Sequence, residues 1–202
     1  LAGPDQLVRE EFYNQVVASA LNLAKRYHFD EDHSRYVTRM ALKLFDTLES
    51  ELALDRHARL LLESAGILHD IGSFIRASDH HIHSQYIISH SDIFGFNKDD
   101  MHILSNVVRY HRSELPSQAH PAYAALPRAD RTMVLKLSAL LRVADALDRG
   151  HSQHIGDFDF ELTGDTLYLR ARGTHDVSLE RLALEEKGNL FQDIFGYTMV
   201  MT

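Results

Sequence analysis

Apolar residues recur at helical spacing through most of the chain, from Asp5 to about Leu147. Capping residues and one proline-bearing stretch, Ser113–Pro127, interrupt this pattern. Because residues three and four positions apart share one face of a helix, the pattern predicts six amphipathic helices. They cover Gln6–Tyr27, Asp32–Leu52, Asp55–His69, His81–Ser91, Lys98–His111 and Arg128–Leu147.

The pattern changes after Arg149, where two alternating stretches with a turn between them predict a β-hairpin, followed by a helix and a last strand. These elements cover Asp157–Leu162, Thr166–Arg170, Leu179–Phe195 and Tyr197–Met201. We therefore expect a mainly α protein with two units: a helical domain over residues 1–150 and a small α+β appendage over residues 151–202. The appendage is expected to serve packing or docking and to stand apart from the chemistry.

Six polar residues stand at or beside inward helix positions where apolar residues are expected. His33 lies one turn before Val37 on the inward stripe of the second helix, and His69 lies four residues after Ala65. The full set is His33, His69, Asp70, His83, His111 and Asp145. A single inward histidine is usually a satisfied core residue, but here five helices supply such groups. Burying them is costly unless they are paired or bind metal, so the set predicts a shared metal site.

The types of these side chains restrict the metal. Imidazole and carboxylate groups without thiolates suit Mn, Fe, Co, Ni or Zn, and the chain has Cys 0. Six ligands exceed what one catalytic metal with open positions requires. We therefore expect two divalent ions per chain, about 3.5–4 Å apart, that share one carboxylate.

Charge and composition exclude other classes. The formal net charge of -8 argues against a general nucleic-acid surface, which needs clustered Lys and Arg. No apolar run approaches the roughly 20 residues that cross a bilayer. The lack of cysteine and of a signal-like start favours the cytoplasm. Because the first residue is Leu, the chain is expected to be a processed product or a piece of a longer protein.

His69-Asp70, with His33 upstream and Asp145 downstream, resemble the signature of the HD superfamily of metal-dependent phosphohydrolases. A more specific resemblance, to the C-terminal region of the exopolyphosphatase and guanosine-pentaphosphate phosphatase (Ppx/GppA) family, extends over nearly the whole chain. The segments that carry it are Gly66–Gly72, His83–Ile88, Gly95–Asn97, Arg109–Arg112 and Leu141–Arg149. The glycine-rich phosphate loops of that family's actin-like phosphatase domains are missing from this sequence. We therefore expect the C-terminal half of such a protein, or a stand-alone relative.

The resemblance implies an HD-domain helical bundle and a role for each candidate residue. Asp70 would bridge the metals, with one metal on His33, His69 and Asp145 and the other on His83 and His111. His81 is the alternative to His83, and both His80 and His81 are otherwise expected in a loop. A hydroxide held by both metals would attack phosphorus. The catalytic residues would be Asp70, Arg112 and Arg149, and weaker phosphate-binding candidates are Arg76, Arg109 and Arg142.

Two classes of function remain at this stage. The first is a phosphohydrolase that acts on a phosphorylated nucleotide, polyphosphate or another small phosphoester or phosphoanhydride. The second is a regulatory or dimer-forming module of an exopolyphosphatase, in which an actin-like phosphatase domain of the same protein, or a second copy of the chain, is the partner. The complete ligand set favours the first class.

Overall fold

The computed structural model describes residues 3–153, 156–173 and 176–202. Helices form most of it, and a three-stranded sheet lies near the C-terminus, which confirms the predicted mainly α fold with a small α+β appendage. The helices are α1 (Pro4–Arg26), α2 (Glu31–Thr47), α3 (Glu49–Leu52), α4 (Arg56–Leu68), α5 (His80–Ser89), α6 (Lys98–Arg109), α7 (Pro121–Ala124), α8 (Arg128–Ala146), α9 (Ser178–Lys187) and α10 (Asn189–Phe195). None of the helices in the described ranges is long and apolar enough to cross a membrane.

Capping residues fix where the central helices begin. The Asp30 carboxylate accepts a hydrogen bond from the backbone amide of His33 at the start of α2, and Asp55 does the same for Ala58 at the start of α4. At α6, Asn97 and Asp100 form a reciprocal capping box. These bonds satisfy backbone amides that have no partner within the helix, and the cap of α2 lies at the helix end that carries His33.

Helix α8 forms the centre of the helical part. Its second half, from Leu137 to Ala146, is buried on all sides. It packs against α2, α4 and α6 on one side and against α9 and α10 on the other. A helix surrounded in this way must be apolar all round, and the two charged residues that it buries, Arg142 and Asp145, therefore need partners.

The C-terminal unit contains the sheet, in the order β1 (Phe158–Thr163), β2 (Thr166–Ala171) and β3 (Thr198–Met201). Strands β1 and β2 form the predicted antiparallel hairpin, with Phe158 opposite Ala171, whereas β3 pairs with β2 in parallel. The parallel pairing requires a crossover, and α9 and α10 supply it.

Three predicted elements differ in detail from the structure. The second predicted helix breaks at Leu48 and continues as the short α3. The helix predicted over residues 179–195 divides at Gly188 into α9 and α10. The predicted connection over 113–127 contains the one-turn helix α7, which begins at Pro121 because proline suits the first helical turn.

Candidate metal centre

Three fully or nearly fully buried side chains meet at one end of the bundle. His33 lies in the first turn of α2, His69 directly follows α4, and Asp145 lies in the last turn of α8. Their relative exposures are 0%, 0% and 7%. Three helix ends thus converge on one point, and we call these residues the inner set.

Asp70 joins the inner set through one carboxylate oxygen. The Nε2 atoms of His33 and His69 lie 3.2 Å apart, and Asp70 Oδ2 lies 3.6 and 3.5 Å from them. Asp145 Oδ1 lies 3.3 Å from His33 Nε2 and 3.7 Å from His69 Nε2. Two ligands held at about 2.0–2.2 Å from one ion in tetrahedral geometry are about 3.3–3.6 Å apart, so these separations fit a common ion.

The other oxygen of Asp70 faces a second group, the outer set, which consists of His80 and His111. Asp70 Oδ1 lies 2.9 Å from His80 Nε2 and 3.2 Å from His111 Nε2, and the two nitrogens are 3.1 Å apart. This triangle has the dimensions of one face of an octahedron around an ion with ligands at about 2.1 Å. Two histidines and a carboxylate on one face are a known metal-binding arrangement that leaves other positions open.

The outward-facing nitrogen of each of these four rings is engaged in the same way. The Nδ1 atoms of His69, His80 and His111 lie 2.7, 3.0 and 2.7 Å from backbone carbonyl oxygens, and that of His33 lies 2.7 Å from Asp148 Oδ2. Carbonyl and carboxylate oxygens only accept hydrogen bonds, so each Nδ1 must donate its hydrogen. Every Nε2 atom is thereby directed into the site, as in metal-bound histidines.

Burial and the neighbouring carboxylates shift the pKa values of the four imidazoles in opposite directions. Burial alone would lower the pKa of His33, but the carboxylates of Asp145 and Asp148 outweigh burial and raise it to about 10. Burial also opposes protonation of His80, yet Asp70 raises its pKa. Burial lowers the pKa of His69, and it lowers that of His111 to about 4. Nearby carboxylates thus favour the protonated form of one ring in each set, His33 and His80, and burial favours the neutral form of the other, His69 and His111.

The structure places a different histidine beside Asp70 from the one that was predicted. His80, and not His83, faces Asp70 and His111, and His83 belongs to none of the metal-compatible groups among the described residues. The prediction followed the stripe from His83 to Ile87. In the structure, α5 begins with His80, whose stripe continues through the buried Ser84 and Ile88. The alternative ligand, His81, lies beside Glu114 instead.

Polar contacts explain why the His80 stripe faces the site. The Ser84 hydroxyl donates a hydrogen bond to the His69 carbonyl and accepts one from the Gly72 amide, both at 2.8 Å. A Cβ atom at Gly72 would lie 2.1 Å from the His80 carbonyl oxygen, so only glycine permits this approach. Because Ser84 is polar, apolar periodicity does not indicate that the His80 face of α5 is buried.

A cleft of about 120 Å³ opens onto the metal-compatible groups. Asp70, His80, His111 and Asp145 form its floor, and its rim is formed by Arg112, Arg149, His151 and Lys187. The guanidinium groups of Arg112 and Arg149 make no hydrogen bond or ion pair with any described residue, which leaves their donors available to an anion. Both residues were predicted to hold phosphate.

Comparison with known proteins identifies the family. Residues 17–187 match the family described as Ppx/GppA phosphatase, domain III. The chain belongs to this domain III family. The match covers well over half of the chain and confirms the resemblance to the C-terminal region of Ppx/GppA proteins.

Relatives of this domain III chain are much longer proteins. It is similar to guanosine-5'-triphosphate,3'-diphosphate pyrophosphatases from Photobacterium profundum, 28% identical over 82% of the chain and 34% of that protein, and from Vibrio cholerae, 32% identical over 84% and 34%. The protein of that name from Vibrio atlanticus is 27% identical over 94% of the chain and 37% of its own length. The chain thus spans about a third of these relatives.

Two residues of the domain III cleft were missed by sequence reasoning. His151 stacks on His33 with ring centroids 3.6 Å apart, and Lys187 forms an ion pair with Asp145. Lys187 belongs to the C-terminal unit, so this unit contributes a side chain to the lining of the cleft. No local pattern marked Lys187, because it ends an ordinary amphipathic helix and becomes buried only when that helix packs on α8.

The remaining arginine candidates of domain III lie outside the cleft. Arg109 pairs with Glu114 and Gln85. Arg142 is fully buried and donates hydrogen bonds to the carbonyls of Tyr110 and Lys187, so its role is to join helices. Arg76 is exposed and is not among the residues that line the cleft.

Proposed function

We propose that this chain is a metal-dependent phosphohydrolase module of the HD type, with two divalent cations held by the inner and outer sets. The observation that carries the proposal is the common orientation of the four imidazoles. Each directs Nε2 towards an oxygen of Asp70 or Asp145, at separations that suit shared coordination. His33, His69, Asp145 and Asp70 Oδ2 would hold one ion, and His80, His111 and Asp70 Oδ1 the other.

The donor types fit Mn, Fe, Co, Ni or Zn, since imidazole nitrogens and carboxylate oxygens are both present and thiolates are not. When bound, such ions would supply Lewis acidity and an activated water to a phosphoryl group. The cleft leaves the outer set accessible from solvent, because His80 and Asp70 keep relative side-chain exposures of 14% and 13%. The ion on the inner set would chiefly hold the site together, whereas the ion on the outer set would also contact the substrate.

The chain's own residues would orient the phosphoryl group. Arg112 and Arg149 stand on the cleft rim with free guanidinium groups, and each can form two parallel hydrogen bonds to phosphoryl oxygens. The protein as a whole is acidic, with a formal net charge of -8, so this local positive charge is what would attract an anion. A phosphorylated guanosine nucleotide is the substrate class suggested by the names of the relatives.

A hydrolysis assay tests the proposal. The chain is loaded with Mn, Fe, Co, Ni or Zn, and phosphate or pyrophosphate release is measured from guanosine 5'-triphosphate 3'-diphosphate, polyphosphate and p-nitrophenyl phosphate. We expect metal-dependent release that chelation abolishes and Asp145→Ala removes. The His83→Ala variant is the matched control, since it removes a nearby imidazole outside both sets, and it should retain activity.

A regulatory function is the second candidate. The relatives carry about two thirds of their length outside the region matched by this chain, which is enough for a separate catalytic domain. In that case the metal centre would sense a phosphorylated ligand for a phosphatase domain of the longer protein. A loaded chain that binds phosphate or nucleotide but hydrolyses none of the three compounds would favour this function over the first.

A further inference from the structure

Lys187 is a buried cation that reaches the metal-compatible cluster from the C-terminal unit. Its side chain has a relative exposure of 7%, and its Nζ atom contacts Oδ2 of Asp145. The other oxygen of Asp145, Oδ1, faces His33 and His69. The two oxygens of one carboxylate thus serve different partners, and the contact with Lys187 leaves the metal-facing oxygen free.

The backbone of Lys187 is fixed by the buried Arg142. The Arg142 Nε atom donates to the Lys187 carbonyl at 2.9 Å, and its Nη2 atom donates to Asn189 Oδ1 at 3.0 Å. The same guanidinium donates to the Tyr110 carbonyl at 3.3 Å, next to the ligand His111. Arg142 therefore joins α9 and α10 to the chain segment that follows α6, and the position of Lys187 is set by the fold.

Lys187 has more hydrogen-bond donors than its partner accepts. An ammonium group carries three N–H donors, and Asp145 is its one polar side-chain partner among the described residues. The group lines the cleft together with Arg112 and Arg149. Three cationic side chains, all with unused donors, thus surround one small opening above the ligands, and this arrangement suits an anion with several acceptor oxygens.

We propose that Lys187 binds a phosphoryl oxygen of the substrate, so that the C-terminal unit completes the site. This inference rests on the proposed function, since it concerns the same cleft. Asp145 would hold the ammonium group by Oδ2 at a fixed place on the rim. Arg112 and Arg149 would bind the remaining oxygens of the same phosphoryl group.

Phosphate binding to the metal-loaded full chain tests this proposal. Calorimetric titration with inorganic phosphate is done on the wild type, Lys187→Met and Lys187→Arg, with metal content measured on each. We expect Lys187→Met to raise the Kd for phosphate about tenfold, which corresponds to about 1.4 kcal/mol, with unchanged metal content. Lys187→Arg should recover most of the affinity. Arg181→Met removes the same charge from an exposed position of α9 and should leave the Kd unchanged.

The results that would overturn the role of Lys187 differ from those that would overturn the proposed hydrolysis. An unchanged phosphate Kd in Lys187→Met, or a loss of metal without recovery in Lys187→Arg, would overturn the role of Lys187 and leave it a partner of Asp145 alone. A wild type that binds no phosphate would overturn it as well. If Lys187→Met unfolds, Lys187→Gln replaces it, because glutamine keeps a donor for Asp145 without the charge. The proposal then requires Lys187→Gln to raise the Kd for phosphate by the same tenfold. Absence of hydrolysis with Lys187-dependent phosphate binding would reject only the hydrolase proposal.

Discussion

The inner and outer sets share Asp70 but differ in how the protein holds them. The inner residues lie at the ends of three regular helices and are almost fully buried. The outer set depends on His80, the first residue of the short α5, which follows a four-residue 3-10 helix (Ile71–Phe74), a short connection and an Asp79 with φ +57°. The inner set is therefore rigid and shielded, whereas the outer set borders the cleft.

This difference predicts different behaviour of the two metals. An ion on the inner set would be held by four ligands that cannot move without disturbing the core. An ion on the outer set would have three ligands and open positions, so it would exchange faster and meet the substrate.

The largest effect is expected for Asp70→Ala, because Asp70 offers one oxygen to each set. The substitution removes a ligand from both ions and leaves the imidazoles without a shared counter-charge. Metal content should fall from about two ions per chain to less than one, as measured by elemental analysis, with helical circular dichroism retained. Retention of two ions in this variant would contradict the sharing of Asp70.

A smaller effect, restricted to one metal, is expected for His80→Ala. The inner set keeps all four of its ligand atoms, so metal content should fall from about two ions to about one and hydrolysis should be lost. His83→Ala, on the same helix, should retain both ions. Loss of metal in His83→Ala with retention in His80→Ala would show that His83, and not His80, binds the second ion.

His80 and His83 also show which parts of the candidate site the sequence could predict and which it could not. Apolar periodicity identified His33, His69 and Asp145 because each extends a regular inward stripe of a long helix. It failed at α5 because the helix is short and because Ser84, a polar residue, occupies the stripe of His80. Helical spacing carries no information about the chain between Asp70 and His80, and the close approach at Gly72 that orients α5 is a tertiary contact.

The C-terminal unit illustrates a second limit. Alternation and spacing predicted its hairpin and one helix, but not the division of that helix at Gly188. The burial of Lys187 required knowledge of where α9 packs. A lysine at the end of an amphipathic helix is ordinarily solvated, so its contact with Asp145 is a consequence of the assembled fold.

Asp148→Asn is expected to act on the inner metal alone. Asp148 accepts the Nδ1 hydrogen of His33 at 2.7 Å and thereby directs Nε2 into the site. Asparagine preserves the shape but loses the charge, and loss of such partners typically weakens metal binding by about 10–100-fold. Competition with a chelator should resolve a weakened inner ion beside an unchanged outer ion. Equal weakening of both ions would indicate that the two sets do not act separately.

The smallest expected effect is a pH dependence of metal-linked stability. The pKa of His33 is raised from 6.5 to about 10, so its proton stabilises the metal-free fold fully below pH 6.5 and this stabilisation is lost as pH rises through about 10. Metal binding must displace this proton. The difference in Tm between the loaded and metal-free chain should therefore widen as pH rises from 6.5 towards 9. A difference that narrows over this range would contradict the assigned proton.

We propose that two ions share Asp70 at the junction of the inner and outer sets, and the number of metal ions bound per chain measures this sharing. The wild type is saturated in turn with Mn, Fe, Co, Ni and Zn, freed of excess metal by gel filtration, and measured by elemental analysis. We predict close to two ions per chain for at least one of these metals, and a lower Tm after chelation. A chain that binds none of the five metals and melts at the same temperature with and without chelator would contradict the account.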